Sequence, residues 1–198
     1  MSEADRHARR IQIIEAVVRT TVSGGLQAAT FRSIAKEAGL SVRLVQYYFG
    51  TKDQLLADTL QQVGNEAVAR IGEALQGLGS DPRPKARIDT ILAQFLPLDS
   101  ERREAMLVFI ALRTAALTDP SLGTSQEAGL DTSLIETIQH ELERAVAEGE
   151  ARPGTVPHSE AVVLVATMTG IANGLLAGTF SAEEARNLLD YAIDLSIP

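Results

Sequence analysis

Cysteine is absent from the 198 residues of this chain, which excludes disulfides, thiolate metal ligands and thiol sensing. Histidine is nearly as scarce. His7, His140 and His158 stand far apart, without HExxH or comparable ligand spacing, and neither a phosphate-binding loop nor a nucleophile elbow occurs. Carboxylates are plentiful but fall where solvated helix faces are expected, so the sequence supplies little for an enzyme and no cofactor or metal is expected. No basic segment followed by an apolar one opens the chain, which argues against a secretory signal and for the reducing cytoplasm. Strand alternation is missing throughout.

One stretch lacks charge altogether: residues 161–180, AVVLVATMTGIANGLLAGTF, run for twenty residues without a charged side chain. That length would suffice for a membrane span. The flanks argue otherwise, since Glu160, Glu183 and Glu184 border the run with no nearby Lys or Arg, and Thr167, Thr169, Asn173 and Thr179 interrupt it. A helix apolar nearly all round can instead be buried between partners, and no membrane association is expected.

The charge that is present is unevenly spread. Residues 1–52 hold eight Lys or Arg against four acids, a surplus of +4, whereas the remainder holds ten against 22, leaving −12 and the overall −8. A polyanion is drawn to the first end and repelled by the second, which orients the approach and makes binding salt-dependent.

Punctuation divides the chain into about nine helices and gives an all-α fold. Residues 5–22 carry Ile11, Ile14, Val17, Val18 and Val22 on one side and Arg6, Arg9, Arg10 and Arg19 elsewhere, stopping at Gly24-Gly25. Arg9 and Arg10 read as solvated charges near a terminus or as phosphate contacts. Thr30 suits a helix N-cap, Phe31, Ile34, Ala35 and Ala38 recur at helical spacing, and Gly39 suits the left-handed turn that ends a helix. After a turn of about three residues, Ser41 caps a second short helix in which Leu44, Val45, Tyr48 and Phe49 cover one face. Val42, Arg43, Gln46 and Tyr47 are left pointing outward. Thr51 and Gln54 read as a capping box that opens a third helix, with each side chain satisfying the other's backbone donor. That helix runs over 52–76, roughly 35 Å long, and is followed by a break at 77–84. Later helices are expected over 84–96, 100–118, 125–148, 159–179 and 182–195, the last opened by a Ser181–Glu184 capping box.

The segment from Thr30 to Leu56 has the form of a helix-turn-helix. Ala35, Gly39 and Val45 fall where such proteins place a small residue, the turn glycine and an apolar residue. Tyr47, Tyr48, Phe49, Thr51, Lys52, Asp53, Leu55 and Leu56 resemble the end of the DNA-binding domain in the TetR family of bacterial transcriptional repressors. Gln46 and Arg43 depart from the commoner Tyr and Gly, which bears on the operator sequence and not on the fold.

This resemblance implies a three-helix DNA-binding domain over residues 1–51 joined to a helical effector-binding and dimerisation domain over 52–198. Its double-stranded DNA operator would be palindromic. Arg43 suits a bidentate contact to guanine and Gln46 a contact to adenine, or else each meets phosphate. Tyr47 and Tyr48 read as a hydroxyl for the DNA backbone and a packing ring. Lys52 and the free amides beside it suit one phosphate, and Thr30, Arg32, Ser41 and Val42 complete the DNA-binding set. Ala166, Gly170, Gly174 and Gly178 repeat every four residues, and the resemblance assigns this strip to a homodimer seam, the alternative being tight packing within one subunit. It also implies a small-molecule effector, with Leu92, Phe95, Met106, Phe109, Ile110, Arg113, Thr114 and Leu117 as pocket candidates. A constitutive DNA-binding protein without effector is the rival reading.

Overall fold

Side-chain caps decide where most of the helices begin. The computed structural model describes residues 2–118 and 125–198, with side chains over 2–116 and 132–198. Among the described residues every regular element is helical: α1 Glu3–Gly24, a short 3-10 turn Leu26–Ala28, α2 Phe31–Glu37, α3 Val42–Phe49, α4 Lys52–Gln76, α5 Pro84–Ala93, α6 Ser100–Thr118, α7 Ser125–Ala147, α8 Pro157–Leu176 and α9 Ala182–Ser196. Nine α-helices and no strand in these residues agree with the all-α expectation.

The chain forms two compact units. The first comprises Met1–Asn65 and Glu104–Ala128, and the second Glu66–Arg103 and Gly129–Pro198. In the first unit α1 packs on α2 and α2 on α3, around Ile13, Val17, Ile34, Val45, Phe49 and Leu55, all fully or almost fully buried. In the second, α8 and α5 both pack against α9 around Ile88, Leu92, Leu142, Leu164, Leu189 and Ile193. Burying one such side chain contributes roughly 1.5–3 kcal/mol, so these stripes hold the helices more firmly than their propensities do.

Several boundaries differ from expectation for identifiable reasons. α5 stops at Ala93 instead of 96, because Gln94, Phe95 and Leu96 turn with i→i+3 bonds to Ile91, Leu92 and Ala93 at 3.1–3.2 Å. The residue before Pro97 disfavours the helical region, and Arg102 Nη1 also donates to the Ala93 carbonyl at 3.1 Å. α8 begins earlier, with Pro157 in its first turn, and ends at Leu176 instead of 179. The expected Thr51–Gln54 box forms only in part. Gln54 N donates to Thr51 Oγ1 at 3.1 Å, but Thr51 N donates to the Phe49 carbonyl at 2.8 Å, and the Gln54 amide donates to Asp58 Oδ1 at 2.8 Å. α8 is long and apolar enough, by length and composition, to cross a membrane. Its buried stripe of Ala161, Leu164, Val165, Met168, Ile171 and Ala172 is instead that of a core helix.

Candidate nucleic-acid interface

The corner between α2 and α3 is built from backbone capping at both sides. At the start of α2, Thr30 Oγ1 accepts from Ser33 N at 3.2 Å while Ser33 Oγ accepts from Thr30 N at 2.9 Å, a reciprocal box in which Ser33 was not foreseen. At its end, Gly39 N donates to Lys36 O at 3.2 Å and Leu40 N to Ala35 O at 2.8 Å, with Gly39 at φ +66°. This paired closure needs a left-handed residue at the turn, which glycine adopts without a Cβ penalty. Ser41 Oγ then accepts from Leu44 N at 3.2 Å and opens α3.

The rotation of α3 about its axis is fixed by Val45, Tyr48 and Phe49, all buried. Val42, Arg43, Gln46 and Tyr47 are accordingly all exposed, Tyr47 to 70%. Thr30, Arg32 and Ser41 are exposed as well, and Lys52 is half-buried in the first turn of α4. Tyr48 is placed in the core at 6% exposure, its ring edge-on to Tyr47 at 5.5 Å between centroids, so within this pair Tyr47 is the one that faces solvent. Arg32, Lys36, Arg43 and Lys52 have no acidic partner at ion-pair distance among the described residues, which leaves their charge available to a polyanion.

Two residues of α1 complete the corner. Gln12 Nε2 donates to the Ala38 carbonyl at the end of α2 at 2.8 Å, and Arg10 Nη1 donates to the Tyr48 carbonyl in the last turn of α3 at 2.9 Å. Arg10 also pairs through Nη2 with Asp58 of α4 and lies 4.5 Å above the centre of the Phe49 ring. It is therefore an internal contact of this unit and not simply a solvated charge near a terminus. The signal was present: Arg10 precedes Ile13, Ile14 and Val17 by three, four and seven residues, which puts it on the buried face of α1.

The remaining candidates are spread over both units. Leu92 is buried and Phe95 half-buried in the second unit, whereas Met106, Phe109 and Ile110 are half-buried on the part of α6 that belongs to the first. Arg113 and Thr114 are exposed, with the Arg113 guanidinium 5.8 Å from the Phe109 ring centre. The side chain of Leu117 lies outside the described residues. Ala166 and Gly170 are exposed on α8. Gly178, however, is not on the helix. It sits at φ +75° in a turn where Gly178 N donates to Leu175 O at 3.2 Å and Thr179 N to Gly174 O at 2.8 Å. Period-four spacing simply continued past the helix end. A Cβ at Gly174 would run into the Phe180 ring, whereas one at Gly170 would meet nothing within 4 Å. A groove of about 450 Å³ between α8 and α9 is lined by Val163, Thr167, Gly170, Phe180, Leu188 and Tyr191, among others. Val162, Val163, Leu188, Tyr191 and Leu195 are exposed apolar side chains of these two helices.

Comparison with known proteins gives a consistent result. Residues 13–59 match the family described as bacterial regulatory proteins of the tetR family, and residues 84–198 match the C-terminal domain of BetI-type transcriptional repressors. The HTH-type transcriptional regulator BetI of Stenotrophomonas maltophilia is 30% identical over 191 residues, covering 96% of this chain and 93% of that protein. A TetR-family transcriptional regulator from a Rhodococcus species superposes with a TM-score of 0.82 at 26% identity, covering 96% of this chain and 98% of that one. A transcriptional regulator of Saccharomonospora viridis, solved with choline, superposes with a TM-score of 0.85 at 20% identity, covering 96% and 97%.

Proposed function

The chain belongs to the TetR family of bacterial regulatory proteins and is a transcriptional regulator with a BetI-type C-terminal domain, and from that premise we propose that it is a homodimeric repressor released from its operator by a small molecule. The observation that carries the DNA-binding half is the face of α3, where Val42, Arg43, Gln46 and Tyr47 are all exposed while Val45, Tyr48 and Phe49 anchor the helix from behind. Arg43 and Gln46 read base edges in the major groove, while Thr30, Arg32, Ser41, Tyr47 and Lys52 hold the sugar-phosphate backbone. Residues 1–51 are the DNA-binding domain and residues 52–198 bind effector and partner. Two copies related by a twofold axis would place two such helices in successive major grooves of a palindrome.

The exposed apolar side chains of α8 and α9, with the groove between them, support a dimer seam there. Ala166 and Gly170 lie on its exposed side and permit close approach of a partner helix. Gly174 and Gly178 serve the turn of their own chain. An effector would act by preferring a conformation that holds the two DNA-binding domains at the wrong separation, so that it lowers operator affinity by differential binding alone. Quaternary ammonium compounds are the first class to try, because a structural neighbour holds choline. Aromatic faces attract such cations, and Phe95 is a half-buried aromatic candidate in the second unit. The regulator works in the bacterial cytoplasm, where its operator is.

Fluorescence anisotropy of the purified protein with the DNA upstream of its gene, against random DNA and across a salt series, tests the reading. Selective binding that weakens with salt, and weakens further on adding choline, is the expected result. Equal weak binding to every DNA offered, including fragments selected genome-wide, would overturn it.

A further inference from the structure

The Arg10 side chain joins separate helices of the first unit, and neither the family comparison nor the function proposed above assigns it a part. Its guanidinium ties α1 to two other helices at once. Nη1 donates to the Tyr48 carbonyl in the last turn of α3. Nη2 pairs with Asp58 Oδ2 on α4, and the cation lies over the ring of Phe49, the last residue of α3. Asp58 is itself oriented, because its Oδ1 accepts from Gln54 Nε2 at 2.8 Å. A positive charge at a helix C-terminus also complements the helix dipole.

From this geometry we propose that Arg10 is a positioning residue of the DNA interface: it fixes the end of α3 against α1 and α4, and so sets the angle at which Val42, Arg43, Gln46 and Tyr47 are presented. The inference rests on the DNA-binding reading above. The chemistry discriminates it from a phosphate contact. An arginine that donates to a carbonyl and a carboxylate of its own unit, with its cation over a ring, has its charge directed inward, and side chains only a third or less exposed on both partners partly shield the pair from water. A small rotation of a short helix displaces its outward side chains by enough to misalign bidentate hydrogen bonds, whereas contacts to the uniform phosphate backbone tolerate it. Loss of Arg10 should therefore lower selectivity more than general affinity.

The test uses the full chain and, as probe, a duplex selected by the unsubstituted protein from a random-sequence pool, with an unrelated duplex of equal length as control. Arg10→Met and Asp58→Asn, singly and together, are measured for binding across a salt series and for thermal midpoint, below the midpoint of each variant. The expected result is a loss of about tenfold in affinity for the selected duplex in both single variants, the control being almost unchanged. The double variant should lose little more than either alone, because both break one linkage. The salt slope should stay that of the unsubstituted protein. Were Arg10 a phosphate contact, Arg10→Met would weaken both duplexes alike and reduce the slope by about 0.9, with Asp58→Asn neutral, and the proposal would be overturned. A lower thermal midpoint with unchanged selectivity would overturn it too, leaving Arg10 a stabilising contact only. Asp58→Asn is the gentler change and keeps the test decisive if Arg10→Met fails to fold. If the unsubstituted protein selects no duplex, the DNA-binding reading itself falls, which separates that failure from a failure of the variants alone.

Discussion

The two units put their charge to different use. In the second, most cations are matched with acids of the same unit: Arg87 and Arg144 on Glu141, Arg186 on Asp89 and Asp190, Lys85 on Asp194 and Arg70 on Glu101. In the first, Arg10 pairs with Asp58 and Arg19 with Glu15 and Glu37, but Arg32, Lys36, Arg43 and Lys52 have no such partner among the described residues. Internal pairing supports an architecture, whereas cations left without acids are a surface held ready for something negative. Net charge over the whole chain conceals this, because the acidic region outweighs the basic one.

The sharpest way to break the contrast is to remove the carboxylate at the centre of the second unit. Glu141 is 3% exposed and accepts from Arg87 Nε at 2.7 Å and Arg144 Nη1 at 2.9 Å. Glu141→Ala should cost about 3 kcal/mol, because two cations lose a shared buried partner. Chemical denaturation followed by circular dichroism would show it as an earlier transition. An unchanged midpoint would mean that water replaces the carboxylate there.

Within the first unit, the contrast is sharpened by comparing two cations. Arg43→Ala should reduce affinity for the selected operator by about 1–3 kcal/mol and leave random DNA nearly unaffected, whereas Lys52→Met should weaken both and lower the salt slope by about 0.9. Anisotropy titrations at several salt concentrations read both quantities, and identical behaviour of the two variants would remove the distinction between base and phosphate contact.

The two glycines of α8 provide the next comparison. Gly174→Ala should destabilise the chain by about 1–3 kcal/mol, since the new methyl meets the Phe180 ring. Gly170→Leu has open space within its own chain and should spare stability while shifting sedimentation from dimer to monomer at micromolar concentration. A stable monomer of the unsubstituted protein would sink the seam outright.

The smallest effect belongs to the α9 cap. Ser181 N donates to Glu184 Oε2 at 2.8 Å, and this backbone hydrogen bond holds the Glu184 carboxyl below its ordinary value. A depressed folded value means a contribution present above the unfolded carboxylate range, near about pH 4.3, and lost as pH falls through the lower folded value. Glu184→Ala, which removes the accepting carboxylate, should cost more near neutrality than at pH 3 in thermal melts. An equal cost at both pH values would refute the linkage.

The helix-turn-helix was legible because its instructions are local. Thr30, Gly39 and Ser41 act within four residues of themselves, and the exposure of Val42, Arg43, Gln46 and Tyr47 follows from three apolar neighbours. Arg10 was misread because a charged residue close to a terminus looks solvated until the helices that cover it are placed. Gly178 was misread for the opposite reason: a repeat of four does not distinguish a glycine inside a helix from the one that closes it, although Ser181 marked the next start only three residues on. The pocket candidates drew least from the residues themselves, since Met and Phe on a helix describe a core as readily as a cavity.

The grip of α1 on its neighbours has a consequence for how such a protein can change. Arg10 and Gln12 hold carbonyl oxygens, and a carbonyl oxygen is the same atom whichever side chain its residue bears. At positions 38 and 48 the attachment is blind to the side chain. Residues 42, 43, 46 and 47 can be rewritten toward a new DNA target while the scaffold behind them keeps its hold, so reading head and mount are separable parts for selection or for an engineer.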